Sequence, residues 1–313
     1  MIITKSPMRV SLGGGGTDIP EFYWEHGGFW ISAAIDKFVY VAVKPRFEKQ
    51  IRLAYSKIEL VDSLAEIDHP ILRIALDIFD VDKNIEISTL ADLPSGTGMG
   101  SSGAFTVGLV NALAVYTGKP VQDLADMAFF IEREKLGRPV GKQDQYTALY
   151  GGVRTYQADK KGRITHAEMH VPGLEDRLSL FYTSIERDSA PILQDVAEKT
   201  EHLRKIKNIG ELSWDALYYQ NYDDFGQLLH QHWLVKREMS PHMTSDKIDR
   251  IYQKARGFGA LGGKIVGAGG GGFFLFYTQD KEKKERLIRD MRKIGLPNLP
   301  FKFHNEGTKV LDI

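Results

Sequence analysis

The chain has 313 residues, 41 Lys+Arg balanced by 41 Asp+Glu, 42% hydrophobic residues and no cysteine. That length implies two domains or one large unit with two lobes, and the apolar content is that of a folded globular protein. Zero net charge argues against a bulk electrostatic grip on nucleic acid or an anionic membrane, and the missing cysteine excludes disulfides, thiolate metal sites and cysteine nucleophiles.

The N-terminal residues carry no apolar core of signal-peptide length, and no stretch approaches the roughly 18 uninterrupted apolar residues of a membrane span. A cytoplasmic protein, monomer or homodimer, is the expectation. Phe38–Lys44 and Ile85–Leu90 read as strands from their β-branched and aromatic content. A helix opens after Ser101, with Ala104, Val107, Leu109, Val110 and Leu113 at three-to-four spacing, and Gly118 and Pro120 close it. Val121–Leu136 reads as a second helix ended by Gly137 and Pro139, and Gly152–Gln157 as a strand. Residues 189–260 read as mostly helical, including Ile192–Ile206, Ser213–Tyr219 and Phe225–Glu238. Lys264–Tyr277 then reads as strand–glycine–strand, and Lys281–Ile294 as a charged helix. The turn at His170–Gly173 sets an expected boundary between an N-terminal domain, 1–170, and a C-terminal domain, 171–313.

Glycine is the distinctive residue: of 31 in the chain, 17 fall in the windows 13–16, 96–103 and 257–272. The central window, Pro94-Ser95-Gly96-Thr97-Gly98-Met99-Gly100-Ser101-Ser102-Gly103, follows a strand and opens a helix. Such a loop offers backbone N–H groups beside the positive end of a helix dipole and suits phosphate oxygens, whereas either serine alone would also serve as a helix cap. Gly98-x-Gly100-x-x-Gly103 fits the dinucleotide fingerprint. A second helix follows, however, where that fold needs a strand ending in an acidic residue, which disfavours a nicotinamide-dependent dehydrogenase. The Walker A spacing also fails, because Gly263-Lys264 is followed by Ile265 and its leading position is Phe258. Four consecutive glycines in the apolar pattern at Gly269–Gly272 imply close backbone approach.

In order and spacing the three windows resemble the motifs of the galactokinase–homoserine kinase–mevalonate kinase–phosphomevalonate kinase (GHMP) superfamily. Met99 and Gly103 replace a leucine and an alanine of its central loop. Within it, Pro7–Asp18, Glu25–Gly28, Ala34–Val41, Ile131–Leu136 and Gln143–Tyr146 are similar to the heptose 7-phosphate kinases, and fucose kinases share several of these motifs. The resemblance implies an α+β kinase of two lobes, with a βαβ phosphate-loop unit in the N-terminal lobe and the active site in the cleft between them. The implied reaction is ATP- and Mg²⁺-dependent phosphorylation of a sugar anomeric hydroxyl in activated-heptose synthesis, with a fucose-type sugar 1-kinase as the alternative. A non-catalytic sugar or nucleotide sensor is disfavoured by the joint presence of Asp144, Glu132 and Ser102.

The resemblance also assigns roles. Asp144 would orient or accept the proton of the sugar hydroxyl, and Arg9 would keep it ionised. Residues 94–102 would cradle the nucleotide phosphates, and Ser102 with Glu132 would hold Mg²⁺. Glu132 read alone is an exposed residue of a helical charge run. Thr17 and Asp18 would bind sugar hydroxyls, with Gly27 and Gly28 beside them, and an Asx turn is the plain alternative for Asp18. Arg187 and Lys236, with Trp233 and Arg237 nearby, would take the distal phosphate. Gly269, Gly270 and Gly271 would back the cleft and the phosphate loop. The nine histidines show no zinc-ligand spacing.

Overall fold

A computed structural model describes residues 1–185 and 190–312. Its larger sheet contains β1 (Ile2–Gly13), β2 (Gly28–Pro45), β3 (Ile51–Ala54), β4 (Ile58–Val61), β5 (Ile85–Ala91), β6 (Val153–Ala158), β7 (Ile164–Glu168) and the C-terminal β12 (Lys309–Val310). The long β2 organises it. One edge pairs with β1 throughout, and the other is shared by β6 against Gly28–Ala33 and β5 against Val39–Pro45. The strand expected at Phe38–Lys44 is therefore the second half of a longer one. The order runs β12-β1-β2-β5-β3-β4, with β6 branching from β2, β7 pairing β6, and only β3–β5 parallel.

Period-2 alternation along β1 sends Met8, Val10 and Leu12, all fully buried, into the main core, so Arg9 and Ser11 take the opposite face. A register shift between Pro7 and Met8 comes just before them, and a proline inside a strand is tolerated at such a bulge. The helices α1 (Pro20–His26), α2 (Pro70–Ile78), α3 (Ser101–Thr117), α4 (Leu124–Phe129) and α5 (Gln143–Tyr150) surround this sheet. Gly108 lets α3 lie directly on β1, since a side chain there would meet Ser6 Oγ at 2.7 Å.

The smaller sheet is antiparallel, in the order β11 (Asn298–Leu299), β8 (Leu178–Tyr182), β10 (Phe273–Tyr277), β9 (Gly262–Ile265). Alternation on β10 separates two cores: Phe273, Leu275 and Tyr277 join the main one, while Phe274 and Phe276 join a second with Trp233, Tyr252 and Leu287. Around it lie α6 (Ala190–Ala197), α7 (Thr200–Tyr218), α8 (Tyr222–Lys236), α9 (Asp246–Gly257) and α10 (Lys281–Lys293). Among the described residues no helix is long and apolar enough to cross a membrane.

Three expected helices differ, and Ser213–Tyr219 is the end of α7 rather than a helix of its own. Ile192–Ile206 is divided, because α6 ends at Ala197 and a fresh helix starts at Thr200. Val121–Leu136 begins three residues late, where the Asp123 carboxylate caps the N–H groups of Ala125 and Asp126 at 2.8 and 2.9 Å. Its second half is a π-helical turn, Phe130–Lys135, which turns Glu132 inward to 1% exposure.

Candidate active site

The phosphate loop leads into α3 through Gly100, whose left-handed φ of 74° precedes the first helical residue, Ser101. No side chain caps this helix end, so its N–H groups stay available to a ligand. β1 holds the loop from below: Arg9 N–H donates to the Met99 carbonyl at 2.9 Å, and Arg9 Nη1 to the Gly98 carbonyl at 2.5 Å.

The same arginine meets Asp144 in the first turn of α5. Its Nε and Nη2 both donate to Asp144 Oδ1, at 2.8 and 2.6 Å, so neither engages Oδ2 of this cleft-lining carboxylate. Only Gly100 and Gly103 permit this approach, because side chains there would fall 3.0 Å from Arg9 Cγ and 2.6 Å from Asp144 Cβ. Asp18 secures α5 from the other side. Its Oδ1 accepts from Gly16 N–H at 3.0 Å and its Oδ2 from Gln143 N–H at 2.9 Å, a helix cap supplied from 125 residues away. Burial, with the charge of Asp144 adding to it, pushes the Asp18 carboxyl above its ordinary range despite these backbone bonds. Asp18 lines the cleft, and each of its oxygens keeps a further lone pair.

Behind the loop serines, Glu132 Oε2 accepts from Ser102 Oγ at 2.5 Å and Oε1 from Gln145 Nε2 at 3.1 Å. Arg138 Nη1 stands 3.5 Å from Glu132 and 3.4 Å from Ser102 Oγ. Burial raises the Glu132 pKa, and the charge of Asp144 acts in the same direction. Among the described residues no three His, Cys, Asp or Glu side chains cluster as a self-sufficient metal site. One buried carboxylate beside a hydroxyl at a glycine-rich loop instead fits what Mg²⁺ takes from a protein, since that ion uses few protein ligands and completes its shell with phosphate and water.

Other expected residues lie differently. Thr17 is fully buried and does not line the cleft: its hydroxyl donates to the Gly14 and Phe29 carbonyls, and accepts from Phe29 N–H at 3.0 Å. Its single O–H is shared between those two carbonyls, and with the Phe29 N–H bond it ties the first glycine window to β2. Gly27 and Gly28 line a separate surface pocket beside Lys207, with Gly27 closing α1 at a φ of 64°. Gly28 sits where a side chain would strike the Thr17 carbonyl. Lys236 does line the cleft, donating to the Ile265 and Gly267 carbonyls, whereas Trp233 is core and Arg237 pairs with Asp249 at 2.8 Å. Arg187 lies outside the described residues. In the third window, Gly267 and Gly272 touch the phosphate loop, since added side chains would meet Gly98 at 2.6 Å and the Thr97 carbonyl at 2.2 Å. Gly269 and Gly271 pack instead on Met243 and Ile185, and Gly270 N–H donates to the Met243 carbonyl.

Sequence reasoning passed over Arg138, Ser11 and Lys264. Lys264 entered as a mismatch to Walker A and as the start of the Lys264–Tyr277 segment, with no role of its own. Its signal was a lysine inside an otherwise apolar buried strand.

The profile of the GHMP kinases N terminal domain matches residues 63–152, and that of the GHMP kinases C terminal domain matches residues 213–295. The D-glycero-alpha-D-manno-heptose 7-phosphate kinase of Campylobacter jejuni is 30% identical over 98% of this chain and 98% of its own. The chain belongs to the GHMP kinase family. A GHMP kinase is an ATP-dependent phosphotransferase, and the solved structures agree with that fold. A structure titled D-glycero-D-manno-heptose 1-phosphate kinase from Bacteriodes thetaiotaomicron superposes with a TM-score of 0.83 at 24% identity, covering 100% of this chain and 99% of that one. A putative sugar kinase from Campylobacter jejuni gives 0.79 at 29%, covering 100% and 98%.

Proposed function

We propose that this GHMP kinase transfers the γ-phosphoryl group of ATP to the anomeric hydroxyl of D-glycero-D-manno-heptose 7-phosphate, giving the 1,7-bisphosphate and ADP. The observation that carries the chemistry is the one-sided Arg9–Asp144 pair. With both guanidinium donors on Oδ1, Oδ2 of Asp144 is left to receive the acceptor proton as the new oxygen–phosphorus bond forms and the bond to the β,γ-bridging oxygen breaks. Gly96–Ser102 and the uncapped start of α3 offer N–H groups to the phosphates. Mg²⁺ would be held by Glu132 and Ser102, and when bound it neutralises charge on the transferring phosphate. Asp18 accepts sugar hydroxyls through its remaining lone pairs, in a cleft it shares with Lys236.

Full-length similarity to a heptose 7-phosphate kinase supports the choice of acceptor. The test is a coupled ADP-release screen with Mg·ATP over heptose 7-phosphate, heptose 1-phosphate, mannose, fucose and galactose. The expected result is turnover on heptose 7-phosphate, with a product carrying phosphate at both ends. Turnover on fucose or heptose 1-phosphate alone would replace the acceptor, and no turnover on any of them would remove the sugar reading.

A further inference from the structure

Lys264 is 1% exposed on β9, yet it lines the same cleft as Arg9 and Asp144. Its only side-chain hydrogen bond among the described residues runs from Nζ to Ser11 Oγ at 3.3 Å, and no described carboxylate lies within ion-pairing distance. An ammonium carries three N–H donors, so two remain unused in a place where a lone charge is costly. Among the described residues, the charge acting on it is Arg9 from β1, and His232 of α8 feels both it and Lys236. None of them offers a negative charge. His232 is itself buried with both ring nitrogens unpartnered, and burial together with the two lysines holds its pKa well below the usual range, so it is neutral. Among the described residues, the carboxylates that line the cleft are engaged elsewhere, Asp144 by Arg9 and Asp18 by two backbone N–H groups. Burial, and then the charge of Arg9, lower the Lys264 pKa to about 7.

We propose that Lys264 is a phosphoryl-binding residue of the cleft, its Nζ donating to an anionic phosphate oxygen of a bound ligand that supplies the missing counter-charge. A ligand of that kind stabilises the ammonium form. Above neutral pH its binding is therefore accompanied by proton uptake at Lys264. The proposal rests on the kinase reading. The same chemistry fits the γ-phosphate of the nucleotide or the phosphate carried by the acceptor.

Calorimetric titration of the full chain separates the two sources. Mg·adenylyl imidodiphosphate and heptose 7-phosphate are each titrated at pH 8 and pH 6, in two buffers of different ionisation enthalpy. For one of them the wild type takes up a proton at pH 8 and little at pH 6, and Lys264→Met weakens it about tenfold or more and abolishes the uptake, because charge-assisted hydrogen bonds are the strong ones. The other ligand binds unchanged, so the responding ligand names the source. The wild-type heats need no variant: absence of proton uptake with both ligands at pH 8 overturns the proposal. So does a folded Lys264→Met protein that binds both within about twofold of wild type. If heptose 7-phosphate does not bind wild type at all, the acceptor reading fails separately, and the nucleotide titration alone decides the role of Lys264.

Discussion

Arg9 directs Nε and Nη2 to one oxygen of Asp144 while its Nη1 reaches the Gly98 carbonyl, so a single guanidinium fixes both the proposed base and the glycine loop. Asp144→Asn keeps the shape and removes the proton acceptor. Turnover is expected to fall by at least about 10²-fold, with binding of Mg·adenylyl imidodiphosphate within about threefold of wild type, as positioned general bases contribute on that scale. Steady-state kinetics with calorimetry checks it, and turnover retained within about tenfold would remove Asp144 from that role. Lys264 makes a prediction of the opposite kind, about stability. Its folded pKa of about 7 lies below the ordinary 10.5, so between those values the unfolded chain holds a proton that the folded chain lacks. The lysine's contribution to stability therefore rises with pH across that window, and its full cost is present below pH 7. Lys264→Met is expected to melt several degrees higher than wild type at pH 7 without ligand, with the gap closing towards pH 10. Scanning calorimetry at both pH values tests this, and a gap that widens with pH contradicts it. A residue kept at a cost to stability is a common mark of a binding site.

Among elements, the glycine windows act through close backbone approach rather than flexibility. Gly272 has a φ of 76°, and a side chain there would stand 2.2 Å from the Thr97 carbonyl. Gly173 has a similar φ of 72° with nothing within 4 Å of an added side chain, so it carries backbone strain alone. Gly272→Ala is expected to weaken the Mg·nucleotide analogue by about tenfold or more and to lower the melting temperature, whereas Gly173→Ala lowers it modestly and leaves binding intact. Equal effects of the two on nucleotide binding would show that contact with the phosphate loop is not what Gly272 provides. The order and flanks of these windows were legible in the sequence, since the chemistry of a phosphate loop demands small residues at fixed positions. The identity of the contacting glycines was not legible, because Gly267 and Gly272 are chosen by the path of β9 and β10. The π-helical turn was hidden for a similar reason. Glu132-Arg133-Glu134-Lys135 has the composition of a solvated face, and one widened turn sends Glu132 inside. Thr17 was assigned to the sugar by the family resemblance, yet its hydroxyl is engaged by the backbone of Phe29.

Across the whole molecule, both halves supply the cleft: Arg9, Ser11 and Asp144 come from the larger sheet and its helices, Lys236 and Lys264 from the smaller sheet and α8. A boundary near residue 170 reads naturally from the local turn. Long-range pairing is invisible to such a reading, and here the C-terminal segment returns to the N-terminal sheet. Asp36 N–H donates to the Lys302 carbonyl, His304 N–H to Ala34, Gly152 N–H to His304, Thr308 N–H to Ala148 and Leu311 N–H to Ile3, all between 2.8 and 2.9 Å. Thr308 Oγ1 adds a bond to the Ala148 carbonyl at 2.9 Å. These bonds clamp the C-terminal end of α5, the helix that carries Asp144 at its other end, and Gly307 allows the chain to pass the Leu149 carbonyl. A chain ending at residue 300 leaves the Asp36, Gly152 and Ala148 backbone groups without these partners, and unpaired buried groups are costly. Its melting temperature is expected to fall by about 10 °C or more, with the loss centred on the N-terminal sheet. Hydrogen exchange decides the assignment. Faster exchange should appear in β1, β2 and α5, while β8, β9 and β10 keep their protection. Uniform loss of protection in both sheets would mean that the C-terminal segment stabilises the fold as one unit rather than clamping the helix that carries Asp144.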